Sequence, residues 1–519
     1  KKLKNSLLTN LTTKPGTKEP SDLGSPLKIL GKYRYDAGNF SGGATIEKDP
    51  GEKMFSGNPG LPDFTSAYLG YEGKGILRKL IIGDYSACFG QGLNVNTGLS
   101  VGSSLSSRGY VPVRNELKEY TSTDENNFFR GTAAELKYKN FSGVFYLSSN
   151  SIDATAGTSS GKPGWVENFY QAGYHNTASL LLKKDVLREN SAGANISYSF
   201  KQASIGATWS ADKLSMPLVN DDSDLSDLYN FSGSSATGYS IYYNALFGKI
   251  FLFGEAAAND MLKKAFFQGV AMRPSDRLTF NLFYRNYQPG YYSLHGRNQG
   301  SSPGWNENSL SAGFTFEAAK HLFINGGADL IHYPWLKYRT SSPSSAFRDE
   351  LRLSYIPTGK LTVEILYQYR MSMADSSEFT GVPVLEETRT TYFKASVKYT
   401  VSEKLTLGMR GDHKFVNTTG DKGMLVSADM SLKPGKLPLT IWMRYCIFSI
   451  DDWKARIYTY ENDLLYSYSV PALSGDGSRS YVMVKWDLGK NIDLRLKYGL
   501  TVKDKVNTDE VKFQIRMVF

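Results

Sequence analysis

Few residues in this chain stand at spacings that covalent chemistry requires. Gly98-Leu99-Ser100-Val101-Gly102 has the G-x-S-x-G pattern of a nucleophile elbow. That chemistry needs a strained strand-to-helix turn with a histidine and an acid nearby. Here the pattern sits in a Gly- and Ser-rich stretch with no amphipathic helix after it, so coincidence is the better reading. Five histidines, His175, His295, His321, His332 and His413, show no HxH or HExxH spacing. A protease or phospholipase would have to assemble His with Asp or Ser from distant parts of the chain; structural or loop histidines are the simpler account. Asp124-Glu-Asn-Asn127 offers the hard oxygens calcium prefers, but without the full spacing of a calcium loop, and reads as a polar loop end before Phe128–Phe129. Cys88 and Cys446 lie far apart, with no CxxC or metal spacing. No catalytic residue, metal or cofactor is expected, and an enzyme ranks last among the functional readings.

Charge is more informative. The chain has 60 Lys and Arg against 50 Asp and Glu, a net charge of +10, and a pI near 9.1. Many of the cations alternate with apolar residues. If the apolar rows face lipid, then Lys32, Arg34, Lys137, Arg285, Arg370, Lys394, Lys398, Arg410, Arg444, Arg495, Lys497 and Arg516 face inward. Lys28, Lys139, Arg352, Lys485 and Lys512 share those rows. Fewer acids do: Glu135, Glu317, Glu350, Glu364, Asp412, Asp429, Asp487, Asp493 and Glu510. A basic excess around an aqueous lumen would favour anions. In the competing reading the cations pair with these acids, or with infolded loops, and only hold the molecule together. A second set of residues marks an expected constriction or plug. Gly83, Gly90 and Gly92 permit close backbone approach or positive φ, and Asp84 and Gln91 add polar contacts. Glu461 and Asp463, in the Tyr-rich stretch Tyr458–Gly475, are expected to join them.

The elements that must position these residues are strands. Tyr 34, Phe 28 and Gly 49 against Cys 2 is a strand-and-turn composition. Mean hydropathy is −0.35, and no apolar run approaches the ~18 residues of a helical span. Strands of a membrane barrel face lipid on one side only, so their hydropathy averages out. The period of two is plain at the end of the chain. Val511, Phe513, Ile515, Met517 and Phe519 alternate with Glu510, Lys512, Gln514 and Arg516. Ile492–Leu500, Leu437–Tyr445, Phe393–Val401, Leu361–Tyr369 and Ile29–Tyr35 repeat the pattern.

Connections alternate as well. Asp36–Asn39, Lys139–Asn140, Pro274–Asp276, Pro357–Gly359, Ser402–Lys404 and Lys433–Lys436 are short. Asp49–Asp63, Gly90–Asn126, Asn150–Ser191, Lys213–Ala236, Gln288–Asn306, Tyr333–Ala346 and Met373–Glu387 are long. Short periplasmic turns and long extracellular loops are the asymmetry of outer-membrane barrels, and periplasmic termini require an even strand number. Lys4–Thr12 is the one candidate for a first strand before Leu27–Tyr35. The expected fold is therefore all-β: a single antiparallel transmembrane barrel over residues 1–519, of about 24 strands (~22–26). Residues 90–126 and 456–479 are expected to fold into the lumen rather than pair in the wall. Lys1–Lys2–Leu3–Lys4 is basic but no apolar core follows, so an export signal is expected to have been removed already.

Several motifs add a resemblance. They are Glu47–Glu52, Gly83-Asp-Tyr-Ser-Ala-Cys-Phe-Gly-Gln-Gly-Leu93, Asp124-Glu-Asn-Asn-Phe-Phe-Arg-Gly-Thr-Ala-Ala134, Arg456–Leu465 and Ser469–Gly475. Together they resemble a family of Bacteroidota outer-membrane barrels usually called helix-hairpin-helix domain-containing proteins. The resemblance implies the outer membrane of the cell envelope as location. The family's helix-hairpin-helix module would lie N-terminal to the barrel, in the periplasm, and is absent from these residues, so a nucleic-acid partner has no support in this chain. The expected partners are outer-membrane lipid, lipopolysaccharide and other envelope proteins. Two functions are expected in order: a porin-like transport or translocation channel with a basic, loop-constricted lumen for anionic or polymeric cargo, and a plugged scaffold barrel that organises partner proteins.

Overall fold

The structure is a computed structural model that describes residues 4–55, 60, 62–98, 115–159, 162–221, 223–297, 305–376 and 383–519, the side chains of 158–159 and 162–163 excepted. Its wall is made of 24 antiparallel strands. The first six are β1 Lys4–Thr13, β2 Lys28–Ala37, β3 Phe40–Lys48, β4 Phe64–Glu72, β5 Leu77–Cys88 and β6 Phe129–Tyr138. There follow β7 Phe141–Ile152, β8 Leu187–Ser199, β9 Ala203–Leu218, β10 Gly233–Phe247, β11 Ile250–Asn259 and β12 Lys264–Ser275. Next come β13 Leu278–Tyr287, β14 Glu307–Ala319, β15 Leu322–Tyr333, β16 Ser344–Thr358, β17 Leu361–Asp375 and β18 Leu385–Ser402. The last are β19 Leu405–Val416, β20 Lys422–Leu432, β21 Leu439–Ile450, β22 Gly475–Leu488, β23 Ile492–Lys503 and β24 Val506–Val518.

The ring closes because β1 pairs with both β2 and β24, setting Asn10 opposite Leu30 on one side and Gln514 on the other. The expected first strand is thus confirmed, and so is the even count. Closure leaves no open edge, which lipid would not tolerate. Among the described residues no helix is long and apolar enough to cross a membrane.

The side chains follow the expected alternation. On β10, Tyr239 and Ile241 are exposed while Ser240 and Tyr242 are buried; on β23, Leu496 and Tyr498 are exposed while Lys497 is buried. A large apolar face turned outward and a polar face turned inward is the pattern lipid imposes. Tyr138, Phe141, Phe200, Phe247, Tyr355, Tyr399 and Trp486 form an exposed aromatic girdle beside the short turns. Those turns, such as 38–39, 139–140, 248–249 and 320–321, lie at one end. Gly38, Lys139, Gly248 and His321 take positive φ there, as two-residue hairpin turns require. His321 is therefore a turn residue. The long connections, those after β1, β3, β5, β7, β13 and β21 among them, leave the wall at the other end. This asymmetry places the short end in the periplasm and the barrel in the outer membrane.

Two expectations need correction. Many strands are longer than ten residues and one, Leu385–Ser402, reaches 18, so several stretches read as loop continue the wall above the membrane. Residues Gly475–Arg479, expected in the infolded segment 456–479, belong to β22, where Arg479 pairs with Cys446 and Thr501. The reason is local: Arg479 must stand on the wall to meet an acid from the loop, as described below. Cys88 and Cys446 are free thiols.

An outward arginine tests the orientation of the faces. Ile241→Arg, near the middle of β10, should cost about 2–4 kcal/mol of folding stability in lipid, the midplane cost of such a charge. Urea unfolding in liposomes reads it, and a cost near zero would mean that this face does not meet lipid.

Candidate functional site

Two segments of the chain pack against inward-facing side chains of the wall. The first leaves β21 at Ile450, where Asp452 caps a short 3₁₀ turn, Trp453–Ala455, by accepting from the Lys454 amide at 2.9 Å. Ile457–Tyr458 then pairs with Ala472–Leu473, and Glu461 pairs with Ser469, so the segment is a narrow ribbon. Its root is apolar: Ala455, Ile457 and Leu473 bury against Val416, Leu425, Phe448 and Ile450 of the wall. Beyond Tyr458 the attachment is polar. We call this ribbon the strap.

The inward cations hold the strap. Arg410 forms a bidentate pair with Asp412, 2.7 Å for each bond, and donates to the Tyr458 carbonyl at 3.0 Å. Arg444 does the same with Asp429, at 2.6 and 3.0 Å, and donates to Thr459 Oγ1 at 2.7 Å and to the Tyr460 carbonyl. Glu461 accepts from Arg479 at 2.5 and 2.9 Å and from Lys497 at 2.9 Å. Asp463 accepts from Lys512 at 2.7 Å. The Leu465 carbonyl accepts from Asn10 at 2.9 Å and Gln514 at 3.1 Å, and Lys32 and Arg34 lie over the Tyr466 ring. The contacts run from β19 through β24 into β1 and β2, so the strap crosses the seam where the ring closes. Glu461 and Lys497 are almost fully buried, at 1% and 0% side-chain exposure.

The second segment is the turn after β5. Gly90 and Gly92 have φ of +60° and +85°, and a Cβ on Gly90 would meet the Glu255 carboxylate at 2.8 Å. That carboxylate, on β11, accepts from the Gln91 amide at 2.5 Å and the Leu93 amide at 3.2 Å. Tyr291 donates to the Leu93 carbonyl, Ser293 to the Asn94 carbonyl and Ser210 to Asn94 Oδ1. Phe89 stacks on Tyr146, and Leu93 packs with Phe253, Phe267 and Tyr291. Gly90, Gln91 and Gly92 are therefore brought together on the inner wall. Asp84 is not among them. It forms a bidentate pair with Arg130 and accepts from the Ala67 amide at 3.1 Å, in the wall where β4 and β5 part. Residues 99–114, with most of the Gly98–Gly102 serine pattern, lie outside the described residues.

The other expected cations fall into two groups. Arg285 is buried with Glu307 at 3.1 Å and Asp329 at 3.5 Å; Lys394 meets Glu364; Arg495 and Arg516 share Asp493. Among the described residues Lys137, Arg370 and Lys398 form no ion pair, although they face inward on β6, β17 and β18.

Three features escaped sequence reasoning. Glu255 was one acid in an uncharged inward row, Phe253, Ala257 and Asn259, and that isolation was its only signal. Glu189, Asp212 and Ser191 converge on His295 at 3.3–3.4 Å, all at Nε2, so one nitrogen serves every partner and no serine–histidine–acid relay is formed. At the outer end, Glu52, Asp63, Glu125 and Asp153 surround His175. Burial alone would lower the imidazole, but the close carboxylates of Asp153 and Asp63 outweigh it and push His175 up to about 10. Burial works against Asp63 too, yet His175 and Lys184 hold it below the usual carboxylate range. Glu125 is pushed up to about 9 by burial and by Asp63 and Asp153. Asp124 is spent on the Asn126 amide and the Asn127 side chain, which suits a loop end.

No protein-family model and no curated protein sequence matches the chain. Some solved structures are similar in shape. The siderophore receptor PirA from Acinetobacter baumannii is 8% identical over 100% of this chain and 80% of its own, with a TM-score of 0.47. The ferric enterobactin receptor of Pseudomonas aeruginosa is 9% identical over 100% and 80%, with a TM-score of 0.46. The copper transporter OprC is 6% identical over 99% and 82%, with a TM-score of 0.47. Likeness at this distance says nothing about cargo.

Breaking one member of a buried ion pair strands the other. Glu461→Gln should cost about 3–5 kcal/mol, as should Lys497→Met, and the double variant should recover part of the sum. Unfolding in detergent measures all three. Strictly additive losses would mean that the two residues do not interact.

Proposed function

We propose that this barrel is a gated outer-membrane passage in which the strap and the Gly90–Gly92 turn narrow the lumen, and that its cargo is anionic or polymeric. One observation carries the reading: beyond Tyr458 the strap is fastened by ion pairs and hydrogen bonds instead of an apolar core. Polar contacts can be exchanged for water when the strap moves, whereas an apolar core would have to be exposed. A ring of 24 strands is also wider than anchoring requires. Lys137, Arg370 and Lys398, which lack acid partners among the described residues, supply the preference for anions.

The neutralisation of most other inward cations favours a second reading, a closed barrel that organises envelope partners. Planar-bilayer recording separates the two. The whole protein should conduct weakly, and a folded variant with residues 459–470 replaced by a short Gly-Ser linker should conduct strongly and prefer anions. Lys398→Gln with Arg370→Gln should reduce that preference. A folded, strapless barrel that does not conduct would exclude the passage and leave the scaffold.

A further inference from the structure

The loops after β3, β5 and β7 meet at one buried point on the outer side, and His175 is its centre. His175 Nδ1 stands 2.8 Å from Asp63 Oδ2, and Asp63 is fixed in turn by Lys184 at 2.6 Å. A neutral ring that donates Nδ1–H to a carboxylate presents Nε2 as a lone pair, the arrangement by which outer carboxylates orient metal-ligating histidines. Nε2 is buried and has no aligned hydrogen bond, although Asp153 Oδ2 lies 3.1 Å away. The other Asp153 oxygen accepts from the Asp185 amide at 2.9 Å, so Oδ2 is the one turned to the ring. Glu125 has no hydrogen bond or ion pair among the described residues, and its carboxylate lies within 4.8 Å of both Asp153 and His175 donor atoms.

We propose that His175 Nε2, Asp153 and Glu125 bind one first-row divalent cation of the zinc or manganese kind, with Asp63 as the positioning residue. One imidazole and two carboxylates suit such an ion, and three protein ligands leave a position for water. Binding displaces the Nε2 proton and the Glu125 carboxyl proton to solvent, and the metal takes the freed lone pairs and the Asp153 carboxylate as ligands. Glu125 belongs to the loop 89–128, Asp153 and His175 to 153–186, and Asp63 to 49–63. The ion therefore ties three outer loops together. The cluster at His295 differs, because a serine hydroxyl shares the same nitrogen with two acids.

The test uses the whole barrel in detergent after chelator treatment. Cobalt(II), followed by its visible absorption, and zinc(II), followed by calorimetry, should each bind at one ion per chain through these residues. Asp153→Asn and Glu125→Gln should each weaken binding by at least about tenfold, and Asp63→Asn by about 10–100-fold without touching the ion. Glu189→Gln, at the His295 cluster, should leave this binding unchanged. Zinc should also slow proteolysis within residues 153–186 of the unaltered protein, a readout that does not depend on any variant folding. No stoichiometric binding, binding indifferent to Asp153→Asn and Glu125→Gln, or cleavage unaffected by zinc would each overturn the proposal; an imidazolium bridging two aspartates would then be the whole role of His175.

Discussion

Glu461 accepts hydrogen bonds from two cations on neighbouring strands, Arg479 and Lys497, and the path of the strap follows from that contact. Its carboxylate and the Lys497 ammonium are almost completely removed from water. Such a pair contributes little net stability compared with apolar side chains of the same volume, but losing one partner is expensive. We infer that its value here is positional. An apolar ribbon could slide along the wall, whereas Glu461 and Asp463 match three cations at fixed heights on β22, β23 and β24.

The same logic explains the inward rows. A barrel of this size cannot fill its interior with side chains from the wall alone, so polar side chains must find water or partners. Around the strap they find main-chain carbonyls: Tyr458, Tyr460 and Leu465 each accept from a wall residue. Around the Gly90–Gly92 turn the roles reverse, and one wall carboxylate, Glu255, collects main-chain amides. The two infolded segments are thus mounted by opposite charges. On the β17–β18 side of the wall, Arg370 and Lys398 keep their charge without an acid partner among the described residues.

The fold was legible because lipid enforces a strict period of two and an asymmetry of loop length that the sequence carries openly. The first strand, the aromatic girdle and the even count were all readable from that pattern. The boundary at Gly475 was not, since Gly475–Ser480 lacks apolar alternation and becomes wall only by pairing with β21 and β23. Asp84 was misplaced for a related reason: its neighbours Gly90 and Gly92 turn inward, but Asp84 precedes that turn and serves the seam between β4 and β5. The His175 cluster had no sequence signature at all. Its donors come from three successive outer loops, and the side-by-side pairing of β3 to β8 brings Asp63 and Glu125 each to His175.

The central claim is that the strap lies inside the barrel, fastened to the wall across the seam. Pulsed electron-electron resonance between spin labels at Tyr468, at the exposed tip of the strap, and Asn491, in the turn between β22 and β23, measures it directly. A single narrow distance distribution in lipid, broadened when Glu461 is neutralised, is the predicted result. A broad distribution at long distances in the unaltered barrel, as for a loop projecting into solvent, would contradict it.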